Sequence, residues 1–354
     1  MKIKLAILEM DRSYLSRVVS VFGTRYADKL EIYSFTDPEV ALATLGTAKI
    51  DVLVASDAFE IDTSKLPNRC AFAYLVDSYG VDTINDERVI CKFQKADLIY
   101  KQILSAYSEK ASSIMGFTPG ADKGTIVAFA SPAGGVGTST VAASCALHYA
   151  RSGHSVLYLN LETFGSADLF FQGDGIYDMS DLIFTLKSKK SNLYLKLESC
   201  VKRDNRGVSF YSQPKIVLDR LELTEAEMIT LLNELKLGGE YDYIVLDLDF
   251  SLSRSALDLY RQAQAIVMVS DGTEASNMKI NRAYEALATI DGNADAPLLS
   301  RMSVLYNRFS SKGGQMAQNE NLRTIGGVPV YAGGSTEQIL EQVSAMNMFD
   351  KLLG

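Results

Sequence analysis

The first 113 residues alternate short apolar runs with segments whose apolar side chains recur at helical spacing. In RSYLSRVVSVFGTRYA, for example, the apolar side chains fall three or four positions apart, which is typical of an amphipathic helix. Five apolar runs predict strands: KLAILEM, KLEIYSF, DVLVAS, AFAYLV and RVICKF. Alternation of this kind predicts a parallel sheet with helices on both faces.

A second alternating series follows residues 116–123, where Gly, Pro and Asp indicate a linker. It begins with the apolar run TIVAFA and a long helical pattern. Further predicted strands are SVLYLNLE, YDYIVLDLD, AIVMVSD and SVLYNRF. We therefore predict an α/β protein with two domains, residues 1–115 and residues 124–354.

Composition narrows the classes of function. The chain has 354 residues, with 35 basic and 43 acidic side chains and a net charge of −8. This balance disfavours a general affinity for nucleic acid or for an anionic membrane, and no apolar run is long enough to predict a membrane span. The four cysteines lie far apart in the sequence, which favours a reducing cytoplasm. We expect a cytoplasmic protein that binds no nucleic acid and does not insert into the membrane.

The segment SPAGGVGTST, residues 131–140, has the features of a phosphate-binding loop. It follows an apolar strand and opens a helix, where backbone N–H groups favour anions. Its glycines allow a tight turn and a close approach to phosphate oxygens. Thr138 stands where the phosphate-loop pattern has lysine, and Ser139 stands where a hydroxyl binds Mg²⁺. The segment predicts nucleotide binding.

Three segments together resemble the MinD/ParA-type deviant Walker ATPases, and in particular their TadZ/CpaE branch. They are PAGGVGTST, VLYLNLETFGSADL and YDYIVLDLDFSLS. The resemblance covers essentially the whole chain and implies an atypical receiver-like (flavodoxin-like) domain, followed by a P-loop NTPase domain with a mostly parallel sheet. It also implies ATP and Mg²⁺ as cofactors and a role in localisation and assembly of tight-adherence (Flp, type IV-like) pili, with placement at a cell pole.

The resemblance assigns nucleotide-binding positions in the loop and implies that ATP is hydrolysed slowly there. The family loop K-G-G-x-G-K-[ST] has two lysines, which fall on Ala133 and Thr138. Because both are missing, we expect very slow or absent ATP hydrolysis. The assigned loop residues are Ala133, Gly134, Gly135, Val136, Gly137, Thr138, Ser139 and Thr140.

The resemblance also assigns metal-linked residues. The family's Asp-x-Asp motif falls on Asn160 and Glu162, so Glu162 is a candidate for positioning a water, or a solvated carboxylate at the end of a strand. Asp247 matches the Walker B acid, which would hold Mg²⁺ through a water, together with Ser139.

Two further segments carry the expected adenine pocket. Asn307 would pair with adenine and Arg308 would lie nearby, although Asn is also a common turn residue after a strand. Tyr331 and Gly333 stand where relatives carry Pro-x-Asp, so they are candidates for one wall of the pocket.

The first domain resembles a response-regulator receiver whose phosphorylation residues are incomplete. Glu9 and Asp11 match the acidic pair, and Lys92 matches the lysine that follows the last strand. The acceptor position falls on Ser56, and Asp57 comes one residue late, on the opposite face if the strand continues. We favour a receiver used for binding; the alternative is a receiver that is phosphorylated on Asp57.

The resemblance further implies a homodimer formed through the ATPase domain and partners among the pilus or secretion assembly proteins. One alternative is an active MinD/ParA-type ATPase for partitioning or cell-division positioning, and another is a scaffold that binds no nucleotide. The C-terminal segment STEQILEQVSAMNMFDKLLG has apolar residues near helical spacing and a single lysine. We interpret it as a helix that packs on the core or on a partner, not on a membrane.

Overall fold

The computed structural model describes residues 2–111, 124–189, 191–292, 297–310, 314–317, 319 and 321–352. The chain forms two compact units. The first contains residues 1–118, 175–177 and 184–200, and the second contains the rest. The predicted linker at 116–123 lies outside the described residues.

The elements of the described residues alternate along the chain as the apolar pattern predicts. The strands are β1 (Ile3–Leu8), β2 (Leu30–Phe35), β3 (Val52–Ser56), β4 (Ala71–Val76), β5 (Thr83–Ile84), β6 (Glu87–Cys91), β7 (Thr125–Ala130), β8 (Val156–Asn160), β9 (Lys202–Arg203), β10 (Val208–Phe210), β11 (Tyr243–Asp247), β12 (Ala265–Ser270), β13 (Met302–Phe309) and β14 (Arg323–Pro329). The helices are α1 (Arg12–Arg25), α2 (Pro38–Thr47), α3 (Ala96–Lys110), α4 (Thr138–Arg151), α5 (Ala167–Phe170), α6 (Met179–Ser188), α7 (Leu193–Cys200), α8 (Val217–Glu222), α9 (Glu225–Gly238), α10 (Arg254–Gln262), α11 (Glu274–Asp291) and α12 (Thr336–Ser344).

The first unit is a six-stranded sheet in the order β2-β1-β3-β4-β6-β5. All neighbours are parallel except the short hairpin of β5 and β6. Apolar side chains of α1 and α3 pack in one hydrophobic cluster, whereas α2 packs in another with the alternate residues of the strands. This confirms the predicted parallel sheet with helices on both faces, in the flavodoxin-like strand order.

Helix α7 completes the first unit although it lies far along the chain. Leu195 is buried in the same cluster as α1 and α3. Glu198 accepts a hydrogen bond from the Tyr100 hydroxyl at 3.0 Å and pairs with Lys29. Lys196 is buried and donates to Ser105 Oγ at 3.0 Å. Nothing in the apolar pattern indicates that residues 184–200 belong with the first unit.

The second unit is an eight-stranded sheet in the order β14-β13-β12-β7-β11-β8-β10-β9. Every neighbouring pair is parallel except β9 and β10, which confirms the predicted, mostly parallel sheet. Central strand β7 is buried along nearly its whole length, as expected of a strand covered on both faces. The carboxyl ends of β7, β8, β11 and β13 meet at one edge, where ligands bind in open α/β sheets.

The C-terminal segment packs on the core, one of the two placements that we predicted for it. Val343 and Phe349 are buried in the cluster that contains α4. The helix is shorter than the apolar spacing predicted, because α12 ends at Ser344 and a 3-10 turn follows at Asn347–Lys351. Leu353, the last apolar residue of the predicted helix, lies outside the described residues.

Candidate functional site

The loop between β7 and α4 has the strand–loop–helix geometry predicted from its sequence. Gly135 and Gly137 have φ of +76° and +84°, a left-handed backbone that favours glycine. A Cβ at Gly137 would collide with Nδ2 of Asn307 in β13, so there is no space for a side chain there. Ser131 Oγ accepts from the N–H of Ala133 at 3.1 Å and donates to Val269 O at 2.6 Å. These contacts fix the start of the loop.

The backbone donors of the loop are available to an anion. Among the described residues, no hydrogen-bond acceptor contacts the N–H groups of residues 134–139, whereas the N–H of Val141, in the first turn of the helix, bonds to Gly137 O. Six N–H groups without an acceptor, at the start of a 14-residue helix, make a cradle suited to phosphate.

A polar cluster lies beside the loop at the ends of β8 and β11. The pairing of the strands sets Asp247 opposite Asn160. Asp247 Oδ2 accepts from the Tyr158 hydroxyl at 2.7 Å and from Asn160 Nδ2 at 2.8 Å. Glu162 Oε2 accepts from Asn160 Nδ2 and from Ser139 Oγ, each at 2.9 Å. The structure thus brings together Ser139, Glu162 and Asp247, the three residues assigned to metal and water.

Asp247 is in an environment that favours its protonated form. It is fully buried, and burial together with the nearby charge of Glu162 raises its pKa to about 8. Its Oδ1 is buried and has no hydrogen-bond partner among the residues that the structure describes. A cation beside Asp247 and Glu162 would stabilise the ionised form of the buried carboxylate and would give Oδ1 a partner. The donor set therefore fits Mg²⁺, which prefers oxygen ligands. The described residues contain no group of three or more His, Cys, Asp or Glu side chains arranged for a metal, so phosphate oxygens and waters would have to supply the other ligands.

The pair at the end of β13 lies on the loop itself. Asn307 is buried, and its Nδ2 donates to Val136 O at 2.8 Å. Arg308 donates from Nη1 to Gly135 O at 3.1 Å. The amide nitrogen that we expected to recognise adenine is therefore engaged with the loop in this structure.

Tyr331 and Gly333 follow the end of β14, the strand next to β13. Tyr331 is half-buried and packs against the core cluster that includes α4. Gly333 is exposed and has a φ of +71°. They lie at the same edge of the sheet as the loop, and their assignment to a base pocket stays a prediction.

Sequence reasoning missed two residues of the polar cluster. Tyr158 is fully buried in β8, and its hydroxyl is the hydrogen-bond donor nearest to Asp247. Gln213 donates from Nε2 to Asn160 Oδ1 at 3.2 Å. The only signal for Tyr158 was a polar-tipped side chain in an apolar strand, two residues before Asn160. Gln213 is 53 positions from Asn160 and gave no signal.

The receiver-like site of the first unit is occupied by an ion-pair network. Lys92 is buried, and its Nζ lies 2.8 Å from Glu9 Oε2, 3.0 Å from Asp77 Oδ1 and 3.4 Å from Ser56 Oγ. Burial alone would lower the pKa of Lys92, but the hydrogen bonds and charges of Glu9 and Asp77 outweigh it and raise the pKa. These residues line a cavity of about 570 Å³. Sequence reasoning found Glu9, Ser56 and Lys92 but missed Asp77.

The side chains of Asp11 and Asp57 form no ion pair with Lys92 in the described part of the chain. Asp11 caps helix α1, accepting from the N–H groups of Ser13 and Tyr14 at 2.8 and 3.1 Å. Asp57 lies in the turn after β3 and is exposed, although it lines the same cavity. The acceptor position at the end of the strand is held by buried Ser56.

We expect the first unit not to accept phosphate from acetyl phosphate and Mg²⁺. The acceptor position is a serine, and the lysine is already paired with two carboxylates. Intact-mass spectra should show no added phosphate under conditions that phosphorylate a conventional receiver in parallel. A phosphorylated Asp57 in peptide spectra would contradict this expectation.

Comparison with known proteins agrees with the description of the first unit and with that of the second unit. Residues 1–108 match the family model described as TadZ-like, receiver domain. No curated protein sequence matches the chain. A ParA family ATPase from Chlorobium tepidum is similar in structure, with a TM-score of 0.52, 16% identity, and coverage of 66% of this chain and 97% of that one.

Two other solved structures show a weaker likeness. One is the MinC:MinD cell division complex of Aquifex aeolicus, with a TM-score of 0.48, 17% identity, and coverage of 65% of this chain and 96% of that one. The other is a plasmid partition protein from Borrelia burgdorferi, with a TM-score of 0.48, 18% identity, and coverage of 65% and 100%. The first domain thus matches a TadZ-like receiver domain, and the second domain shares the fold of a ParA family ATPase.

Proposed function

We propose that the second domain binds ATP·Mg²⁺ and that the protein is a localisation and assembly factor for tight-adherence pili. In this role nucleotide binding promotes dimerisation and partner recruitment, with little or no hydrolysis. The receiver-like domain serves as a binding module. The TadZ-like domain supports the pilus assignment, and the ParA-type fold supports the nucleotide assignment.

One observation carries the nucleotide proposal. Asp247 lies in a cluster with Glu162 and Ser139, beside a loop; in the described part of the chain, neither Asp247 Oδ1 nor the N–H groups of residues 134–139 have a hydrogen-bond partner. An anion cradle and a cation site side by side suit a phosphate chain with its Mg²⁺.

The test is a titration with a fluorescent ATP analogue, with and without Mg²⁺. We expect saturable binding that Mg²⁺ strengthens, and Ser139→Ala should reduce the effect of Mg²⁺. Ser152→Ala, at the far end of α4, is the matched control and should leave binding unchanged. A protein that binds no nucleotide in either condition would instead favour the scaffold alternative.

The cellular role can be separated from that of an active partitioning or division ATPase. A strain lacking the protein should produce pilin but no surface pili, with normal cell division and plasmid retention. Minicells or plasmid loss with intact pili would favour the alternative. No helix in the described part of the chain is long and apolar enough to cross a membrane.

We propose that the homodimer forms through an apolar surface at the rim of the nucleotide site. Gln213 N donates to Asp168 Oδ2 at 2.8 Å, so the segments that follow β8 and β10 lie side by side. They expose large apolar side chains, including Phe164 at 80% and Leu218 at 67%. The others are Leu169, Ile216, Val217 and Leu221. An exposed set of this size is typical of an interaction surface.

We expect ATP·Mg²⁺ to convert the protein from monomer to dimer, as measured by light scattering over a range of concentrations. Leu218→Asp should prevent the conversion, because a dimer would bury the new carboxylate. The control is Leu237→Asp, at an exposed position near the end of α9. A monomer at all concentrations with ATP·Mg²⁺ would rule out this dimer.

A further inference from the structure

Arg308 brings a guanidinium group to a loop from which both family lysines are missing. Its Nη1 donates to Gly135 O at 3.1 Å, and its Nη2 lies 3.7 Å from the position of a Cβ built on Gly137. Two of its nitrogens therefore lie against the part of the loop that would surround phosphate. The positions of the lysines are held by Ala133 and Thr138, neither of which carries charge.

The backbone of Arg308 is held in an unfavourable conformation to reach this place. Its φ is +54°, in the left-handed region that side chains other than glycine rarely adopt. The pairing of β13 with β14 shifts register between Tyr306 and Phe309, around this residue. The preceding residue, Asn307, is buried and bonded to Val136 O. Strain of this kind persists where the surroundings enforce it, and it concentrates at ligand-binding sites.

We propose that Arg308 is the phosphate-binding cation of this site and takes over the charge that the loop lysines supply in relatives. This inference rests on the proposed binding of ATP. A guanidinium has five N–H donors, and the contact to Gly135 O uses one. The side chain is exposed, so the other donors can reach phosphate oxygens in the cradle. Arg308 thus recognises the triphosphate of the nucleotide, not its adenine.

The test separates phosphate recognition from base recognition. Wild-type protein and Arg308→Gln are titrated with fluorescent ATP·Mg²⁺, and tripolyphosphate and adenosine are each used as competitors. We expect Arg308→Gln to bind ATP and tripolyphosphate about 10- to 100-fold more weakly, the effect of losing charge-assisted hydrogen bonds. Competition by adenosine should change little. Arg282→Gln, an exposed arginine on α11, is the charge-matched control.

Two further variants distinguish the loss of the guanidinium charge from a loss of stability of the folded protein. Arg308→Gly should weaken binding as much as Arg308→Gln while keeping or raising the melting temperature, because glycine adopts a positive φ readily. Thr138→Lys in the Arg308→Gln protein should restore most of the affinity for tripolyphosphate.

The outcomes that overturn the inference are distinct. Unchanged binding by Arg308→Gln, or an equal loss for adenosine and tripolyphosphate, would overturn the role in phosphate binding while leaving ATP binding intact. A wild-type protein that binds neither ATP nor tripolyphosphate would overturn the proposed function as well.

Discussion

Asp247→Asn should make the ligand-free protein more stable while removing the effect of Mg²⁺ on nucleotide binding. The side chain is fully buried, and its pKa of about 8 means that ionisation in the folded state is costly. Asn has the same shape and can still accept from Tyr158 and Asn160. Its amide nitrogen, in the place of Oδ1, can donate to Glu162, the neighbour whose hydrogen bond raises the pKa of Asp247. The substitution therefore removes the cost of a buried charge without leaving a cavity.

The raised pKa of Asp247 determines the direction in which the stability of the protein changes with pH. An ordinary aspartate in the unfolded chain has a pKa near 3.8, whereas in the folded state the pKa of Asp247 is raised to about 8. Between these values the folded protein holds a proton that the unfolded chain has released, so this group makes stability fall as the pH rises. The slope is about 1.4 kcal/mol per pH unit, and at pH 7 the variant should gain roughly 2–4 kcal/mol.

Chemical denaturation at pH 5, 7 and 8.5, without nucleotide, measures this effect. The gain from Asp247→Asn should grow with pH, whereas Asp258→Asn, at a partly exposed acid paired with Arg261, should show no such trend. ATP titrations of the same variant should give equal affinities with and without Mg²⁺. A loss of stability at pH 7, or a retained Mg²⁺ effect, would show that Asp247 does not serve as the buried metal-linked acid.

We expect the second domain to turn over ATP far more slowly than 1 s⁻¹, the low end of ordinary enzyme rates. Phosphoryl transfer depends on positioning and on neutralising the charge of the transferring group. Removing one charge-stabilising donor costs roughly 10²–10³ in rate, and two lysines are absent at Ala133 and Thr138. Arg308 supplies one positive charge, but its hydrogen bond to Gly135 O holds it in place. We therefore expect it to contribute more to nucleotide binding than to stabilising the charge that develops on the phosphoryl group during hydrolysis.

A phosphate-release assay with excess ATP·Mg²⁺ measures the rate, and Ser139→Ala gives the background of contaminating activity. Thr138→Lys should bind nucleotide more tightly than wild type because it restores a cation in the cradle. Wild-type turnover near 1 s⁻¹ or faster would mean that another group replaces both lysines.

Features set by local sequence were predictable. The central strands are continuous apolar runs because they are covered on both faces, and the loop was recognisable because its glycines and hydroxyls follow one another. What could not be predicted depends on pairs of residues far apart in the sequence. Asp77 meets Lys92 only when β4 and β6 lie side by side. Arg308 contacts the loop only because β13 and β7 end at the same edge of the sheet. Nothing in the sequence indicates its positive φ.

The late position of α7 in the sequence determines when the first unit can complete its folding during synthesis of the chain. The contacts of this helix with α3 and with Lys29 join residues that leave the ribosome about 90 positions or more apart. At roughly 5–20 residues per second, the sheet of the first unit would wait about 5–20 s for Leu195 and Glu198. During that interval the face of α3 that receives them is open to solvent and to chaperones. Folding of the N-terminal unit is therefore completed only when more than half of the chain has been made.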